Sequence, residues 1–305
     1  MPGRAVFFFL IAVSAWGAGQ SELSGPTSFR ADTTLVLVPI GVTDTSNRYV
    51  LGLEKETFRI FEDGVEQSIV HFSSEDAPLS IGLILDVSGS IGGKLTTERQ
   101  AIREFLKTLN SIDEAFLVEC SDRAELAVPF TRDAGEIDQK LAATTSGGLT
   151  ALLDAVHLGL REMKKAANPR KALLVISDGG DNNSRYTGTE IQDLVREADI
   201  QIFAMGVFEP FTFGLSTAEL SGPRVLSEIA GQTGGRALAA AKDSDLPSIA
   251  ARIGLELRNQ YVLAYSPKNR ARDGKYRKVE VKLIQPDGLP ALKARWRLGY
   301  YAPSE

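Results

Sequence analysis

The sequence predicts an α/β fold, a doubly wound and mostly parallel sheet, joined to a β-sandwich-like unit formed by the N- and C-terminal segments. Three observations predict it. From Leu79 to about Asn259, short aliphatic runs alternate with stripes of helical period, the pattern of strand and helix units around a parallel sheet. One of those runs, Ser80-Ile81-Gly82-Leu83-Ile84-Leu85, is nearly all apolar and closes in turn residues, which favours a strand covered on both faces over a helix. At both ends of the chain, β-rich runs follow one another with Asp-Gly turns between them.

Taken in order, the chain opens with an apolar segment, Phe7 to Val13, preceded by Arg4 and followed by the small residues Ala15, Gly17, Ala18 and Gly19. It reads as a signal peptide over residues 1–19, cleaved near Ala18 to Gln20, since it is too short and wrongly flanked to span a bilayer. The mature chain, with no later apolar segment long enough to cross a membrane, is expected outside the cytoplasm, secreted or periplasmic. An N-terminal β region over 28–76 follows. Thr34 to Val42 and Tyr49 to Leu53 read as strands, and Phe58 to Phe61 runs into the turn Glu62-Asp63-Gly64, from which Val65 to Phe72 returns.

The α/β unit is expected over 79–259. Its helical stripes are Ile102, Phe105, Leu106 and Leu109; then Leu149, Leu152, Leu153, Val156, Leu160 and Met163; then Ile191, Leu194, Val195 and Ala198; and last Leu246, Ile249, Ala250, Ile253 and Leu257. Strands between them fall at Ala115 to Glu119, Leu126 to Phe130, Ala172 to Ser177, Gln201 to Phe208 and Arg236 to Ala240. The second follows the first so closely that a hairpin and one antiparallel edge are expected. Phe208 to Pro223 reads as a loop carrying the exposed aromatics Phe211 and Phe213. The C-terminal β region, 260–303, alternates polar and apolar residues over Tyr261 to Tyr265, Arg277 to Ile284 and Lys293 to Tyr301.

Composition narrows the function. The chain has 34 basic and 39 acidic residues, a formal charge of -5, and no basic block, which argues against nucleic acid as a partner. Its single cysteine, Cys120, ends an apolar run and reads as a buried packing residue. Neither histidine, His71 or His157, has a second ligand at a metal spacing. Polar oxygens at the carboxyl end of the central run fall where open α/β sheets bind ligands. Asp86, Ser88 and Ser90 alternate there in a glycine-containing loop, so three hard oxygens can converge on one point, a set suited to magnesium, calcium or manganese.

Asp86-Val87-Ser88-Gly89-Ser90 after a hydrophobic strand resembles the metal-ion-dependent adhesion site of the von Willebrand factor type A (vWA) family. Gly147-Gly148-Leu149-Thr150 resembles the family's second motif and supplies Thr150, although Leu149 stands between the glycine pair and the threonine. Ala172 to Gly179 resembles its fourth strand and supplies Asp178. The two β-rich ends resemble a bacterial group of secreted vWA-related proteins. The resemblance implies that Asp86, Ser88, Ser90 and Thr150 touch a divalent ion or its waters, with Asp178 acting mostly through water. It also implies a protein partner that offers an Asp or Glu to the ion.

The expected function is therefore an exported, metal-dependent binding module rather than an enzyme. A magnesium-dependent phosphohydrolase with Asp86 as nucleophile is the competing class, but position 88 is serine where the aspartate-nucleophile phosphatases carry a second carboxylate. No Gly-x-Ser-x-Gly elbow surrounds Ser88 to support a serine hydrolase. A vWA scaffold with no metal role is the third reading. The sequence leaves the partner's identity, the choice of cation and the oligomeric state open.

Overall fold

The computed structural model describes residues 35–207, 217–286 and 288–304, the stretch 217–223 by its backbone alone. The signal-peptide reading, Phe211 and Phe213 lie outside the described residues. The chain begins with four strands, β1 (Val36–Thr43), β2 (Phe58–Glu62), β3 (Val65–Gln67) and β4 (Ile69–Ser73). The α/β unit follows as β5 (Leu79–Asp86), α1 (Leu95–Leu106), β6 (Glu114–Cys120), β7 (Ala124–Thr131), α2 (Ala134–Ala143) and α3 (Leu152–Met163). It continues through β8 (Arg170–Ile176), α4 (Gly188–Glu197), β9 (Gln201–Gly206), α5 (Thr217–Gln232), β10 (Ala237–Ala239) and α6 (Leu246–Arg258). The last strands are β11 (Gln260–Tyr265), β12 (Tyr276–Leu283), β13 (Lys293–Trp296) and β14 (Gly299–Tyr301).

The central sheet runs β10-β9-β8-β5-β6-β7, parallel except for β7, which turns back antiparallel on β6 as expected. Every residue of β5 is buried, because helices cover both of its faces. Ile81, Leu83 and Leu85 pack with α1 and α6 through Ile102, Phe105, Ile253 and Leu257. Ile84 packs on the other face with Val156 and Leu160 of α3 and Ile191 and Val195 of α4. Gly82 leaves no room for a side chain: a Cβ there would lie 2.3 Å from side-chain carbons of Leu173 and Phe116 in the strands on either side.

Two antiparallel sheets, β13-β1-β11-β4 and β14-β12-β2-β3, bury Val38, Ile40, Phe58, Ile60, Tyr261, Leu263, Tyr265, Val279 and Val281 in one shared cluster. Strands from before and after the α/β unit share both sheets, alternating in the first, with β1 pairing β11 and β13, and β2 pairing β12. The turn Asp63-Gly64 has φ of 48° and 81°, the positive pair a two-residue hairpin of this hand requires.

Several local expectations give way. Of Tyr49 to Leu53 only Tyr49 bridges, to Thr43, because Asp44 caps the preceding turn and the Leu53 N–H donates to the Tyr261 hydroxyl at 3.0 Å instead of to a ladder. Val65 to Phe72 is two strands divided at Ser68, one pairing β2 and the other β11 in the opposite sheet. Helix α2 was not expected, since only Ile137 and Leu141 bury, too few for a visible stripe; Asp133 caps it by accepting from the Gly135 N–H at 2.8 Å. The expected loop through Pro223 is instead helical from Thr217, and burial of Leu226, Ile229 and Ala230 outweighs the breaker residues. Leu149 does not join the α3 stripe and stands about half exposed before the helix.

Candidate metal centre

Asp86 ends the central strand, and the loop after it is fixed by backbone bonds on two sides. The Val87 N–H donates to Cys120 O at 2.8 Å, extending the pairing with β6 by one step. The Gly147 N–H donates to Val87 O at 2.8 Å, and the Gly89 N–H to Gly148 O at 2.9 Å, so the 147–150 segment lies against the Asp86–Ser90 loop. Gly148 has a φ of +84°, and a Cβ on it would lie 2.8 Å from Asp122 Oδ1. That same oxygen accepts from the Leu149 N–H at 2.7 Å, which turns the Leu149 side chain outward and brings Thr150 under cover.

Thr150 is held from its other side by the loop that follows β8. Its N–H donates to Asn182 Oδ1 at 2.9 Å, and its carbonyl accepts from the N–H groups of Asn182 and Asn183 at 3.0 Å. Asp178 begins that loop and accepts from the Gly180 N–H at 3.1 Å. Helix α3 has no side-chain cap from its own N-terminus, so the loop supplies one. Asp181 accepts from the Leu153 N–H at 3.0 Å and Ser184 from the Asp154 N–H at 3.1 Å. In return Asp154 Oδ1 accepts from the N–H groups of Arg185 and Tyr186 at 2.9 and 3.2 Å. His157 stacks on Tyr186 with ring centroids 4.0 Å apart.

The structure therefore brings the Asp86–Ser90 loop, the Thr150 segment and the Asp178 loop together at the carboxyl end of the sheet. Asp86 is fully buried. Its Oδ1 accepts from the Ser88 N–H at 3.0 Å and its Oδ2 from the Ser177 hydroxyl at 2.7 Å, leaving acceptor capacity on both oxygens. The Ser88 and Ser90 hydroxyls stand 3.1 Å apart. Burial pushes the Asp86 carboxyl up, against the bonds from Ser88 and Ser177, and Asp178 adds like charge. Oxygens at roughly 2.0–2.1 Å from an octahedral cation stand about 3 Å from one another. A buried carboxylate with spare lone pairs beside two hydroxyls at that spacing fits a hard divalent ion.

One residue of this region escaped the sequence reading. Glu98, in the first turn of α1, is only 2% exposed, and its carboxyl is pushed up to about 9 by burial and then by the charges of Asp86 and Asp178. Its signal was present in the sequence: Glu98 is four and seven positions before Ile102 and Phe105, an acid on an otherwise apolar stripe. Cys120 is buried and free, with its thiol pushed up by burial, which keeps it inert.

Residues 81–180 match the family model described as von Willebrand factor type A domain. Among solved structures, a von Willebrand factor type A protein from Catenulispora acidiphila superposes with a TM-score of 0.52 at 11% identity, over 90% of this chain and 74% of that one. The PilB minor pilin from Streptococcus sanguinis gives a TM-score of 0.47 at 12% identity, over 61% and 63%. An uncharacterized protein of Borreliella burgdorferi is 23% identical over 192 residues, 56% of this chain and 55% of its own length, so the chain spans about half of that relative. At these identities the structural likeness is one of fold. The family match runs from Ile81 in β5 through β8 to Gly180 and includes Asp86, Ser88, Ser90, Thr150 and Asp178, and this segment of the chain is thus a von Willebrand factor type A domain.

Proposed function

We propose that this protein is a metal-dependent, adhesion-type binding module. In this reading Asp86, Ser88, Ser90, Thr150 and Asp178 hold a magnesium, manganese or calcium ion, and a partner protein completes the site with an Asp or Glu carboxylate. The observation that carries it is the Ser88 and Ser90 hydroxyl pair, 3.1 Å apart beside the buried Asp86. The cation would supply a Lewis-acidic position for an incoming carboxylate. Asp86 brings the one direct negative charge, Asp178 adds charge through water, and Ser88, Ser90 and Thr150 bring neutral oxygens, so a coordination position held by water stays open to a partner carboxylate. The reading of residues 1–19 as a signal peptide belongs to this proposal, which places the binding face outside the cytoplasm. Residues chosen for neutral oxygen, with serine rather than a second carboxylate at position 88, support binding over hydrolysis.

The test is Asp86→Ala. Magnesium at about a hundred times its dissociation constant should stabilise the wild type by about 2.7 kcal/mol and raise its melting temperature. The variant should not respond, and should melt in chelator at or above the wild-type temperature, because it loses a buried carboxyl whose ionised form is disfavoured there. Capture of partner from the exported protein pool should need magnesium with wild type and fail with the variant. A variant that unfolds in chelator, or binds magnesium like wild type, makes Asp86 a structural residue and ends this reading.

A further inference from the structure

Glu98 has no evident structural purpose. It is 98% enclosed by the fold, yet its Oε2 has no hydrogen-bond partner among the described residues. Buried carboxyl oxygens are ordinarily satisfied, and those that are not point to something missing. The charged groups facing it are Asp86 from the end of β5, Asp178 from the loop after β8, Lys94 just before α1, and Asp243 from the turn before α6. Asp243 Oδ1 is also buried without a partner among the described residues. Three acids and one lysine around a fourth acid leave the pocket short of positive charge. A position in the first turn of a helix favours a carboxylate slightly, far less than burial disfavours it. Among the described residues no three carboxylate, histidine or cysteine side chains stand close enough to hold an ion directly. Glu98 thus feels the charges of Asp86 and Asp178 without forming a three-carboxylate cluster with them.

We propose that Glu98 is an outer member of the cation site, a carboxylate that accepts hydrogen bonds from waters carried by the ion held at Asp86, Ser88 and Ser90. It rests on the metal-binding reading given above. Magnesium keeps several of its waters when bound by protein, and changing an outer-shell group typically costs about ten- to a hundredfold in metal affinity. The orphaned Oε2 would find its donor there, and the ion would supply the missing charge. Glu98 is in this sense a positioning residue.

The test uses the full chain and magnesium chloride alone. Calorimetric titration of wild type and Glu98→Gln, with melting temperatures of both in chelator, separates the roles. Glutamine keeps the shape and removes the charge. The expected result is a loss of magnesium affinity of about tenfold or more, with the melting temperature in chelator equal to or above that of wild type. Magnesium affinity within twofold of wild type overturns the proposal and leaves Glu98 a neutral packing group. So does a lower melting temperature of the variant in chelator, which would show that the acid stabilises the empty fold. A wild type that binds no magnesium overturns both readings, whereas a wild type that binds and a variant that binds equally overturns this one alone.

Discussion

Asp154 illustrates how a single side chain decides where the loop after β8 sits. It is nearly buried, and burial works to raise its pKa, but the Arg185 guanidinium and the N–H groups of Arg185 and Tyr186 hold the carboxyl below the usual range. A depressed value in the folded state means stability that is complete above the unfolded pKa and is lost as pH falls through the folded one. Asp154→Asn should therefore destabilise by about 1–2 kcal/mol at neutral pH, measured by urea unfolding. The gap to wild type should close as pH is lowered below about 4. At this scale the sequence displayed the proposed ligands, because Asp86, Ser88 and Ser90 fall in one short stretch and their alternation is visible. It concealed Glu98, whose role depends on what surrounds it, and it misplaced Leu149, because a stripe cannot reveal that the Gly148 backbone turns before the helix begins.

Among elements, the loop after β8 and the start of α3 form one unit, since each satisfies polar groups the other leaves open. Asp181 is the pivot, accepting from the Leu153 N–H with one oxygen and from the Ser184 N–H with the other. Asp181→Ala should cost about 1 kcal/mol, as loss of a helix cap does, and should also weaken magnesium binding, although Asp181 is not among the proposed ligands. Thermal melts with and without magnesium check both effects. The strand and helix alternation from 79 to 259 was legible because period and length agree over many residues. What was not legible was which sheet a strand would join. Val65 to Phe72 looks continuous in sequence, and only the pairing of β3 with β2 and of β4 with β11 divides it.

Across the whole molecule, the chain leaves the antiparallel layers at β4 and returns to them at β11, the strand directly beside it. Charges fasten that crossing point. Arg258 at the end of α6 bonds Asp113 and Asp76, and Arg170 at the start of β8 reaches Asp76 and the Leu257 carbonyl. Asp113 is fully enclosed, so Arg258→Ala would strand a buried charge, a loss of about 3–5 kcal/mol when nothing else compensates. Asp113 keeps the N–H groups of Leu79 and Asn110 as donors at 2.8 and 2.6 Å. We therefore expect about 3 kcal/mol, measured by denaturant midpoint, with one cooperative transition retained.

The crossing point and the candidate metal centre lie at opposite ends of β5. Pulled between a partner at one end and the antiparallel layers at the other, the chain would carry tension lengthwise through β5. The hydrogen bonds to β6 and β8 on its two sides would then have to shear together instead of unzipping singly. A central strand anchored in this way is a tether as much as a scaffold.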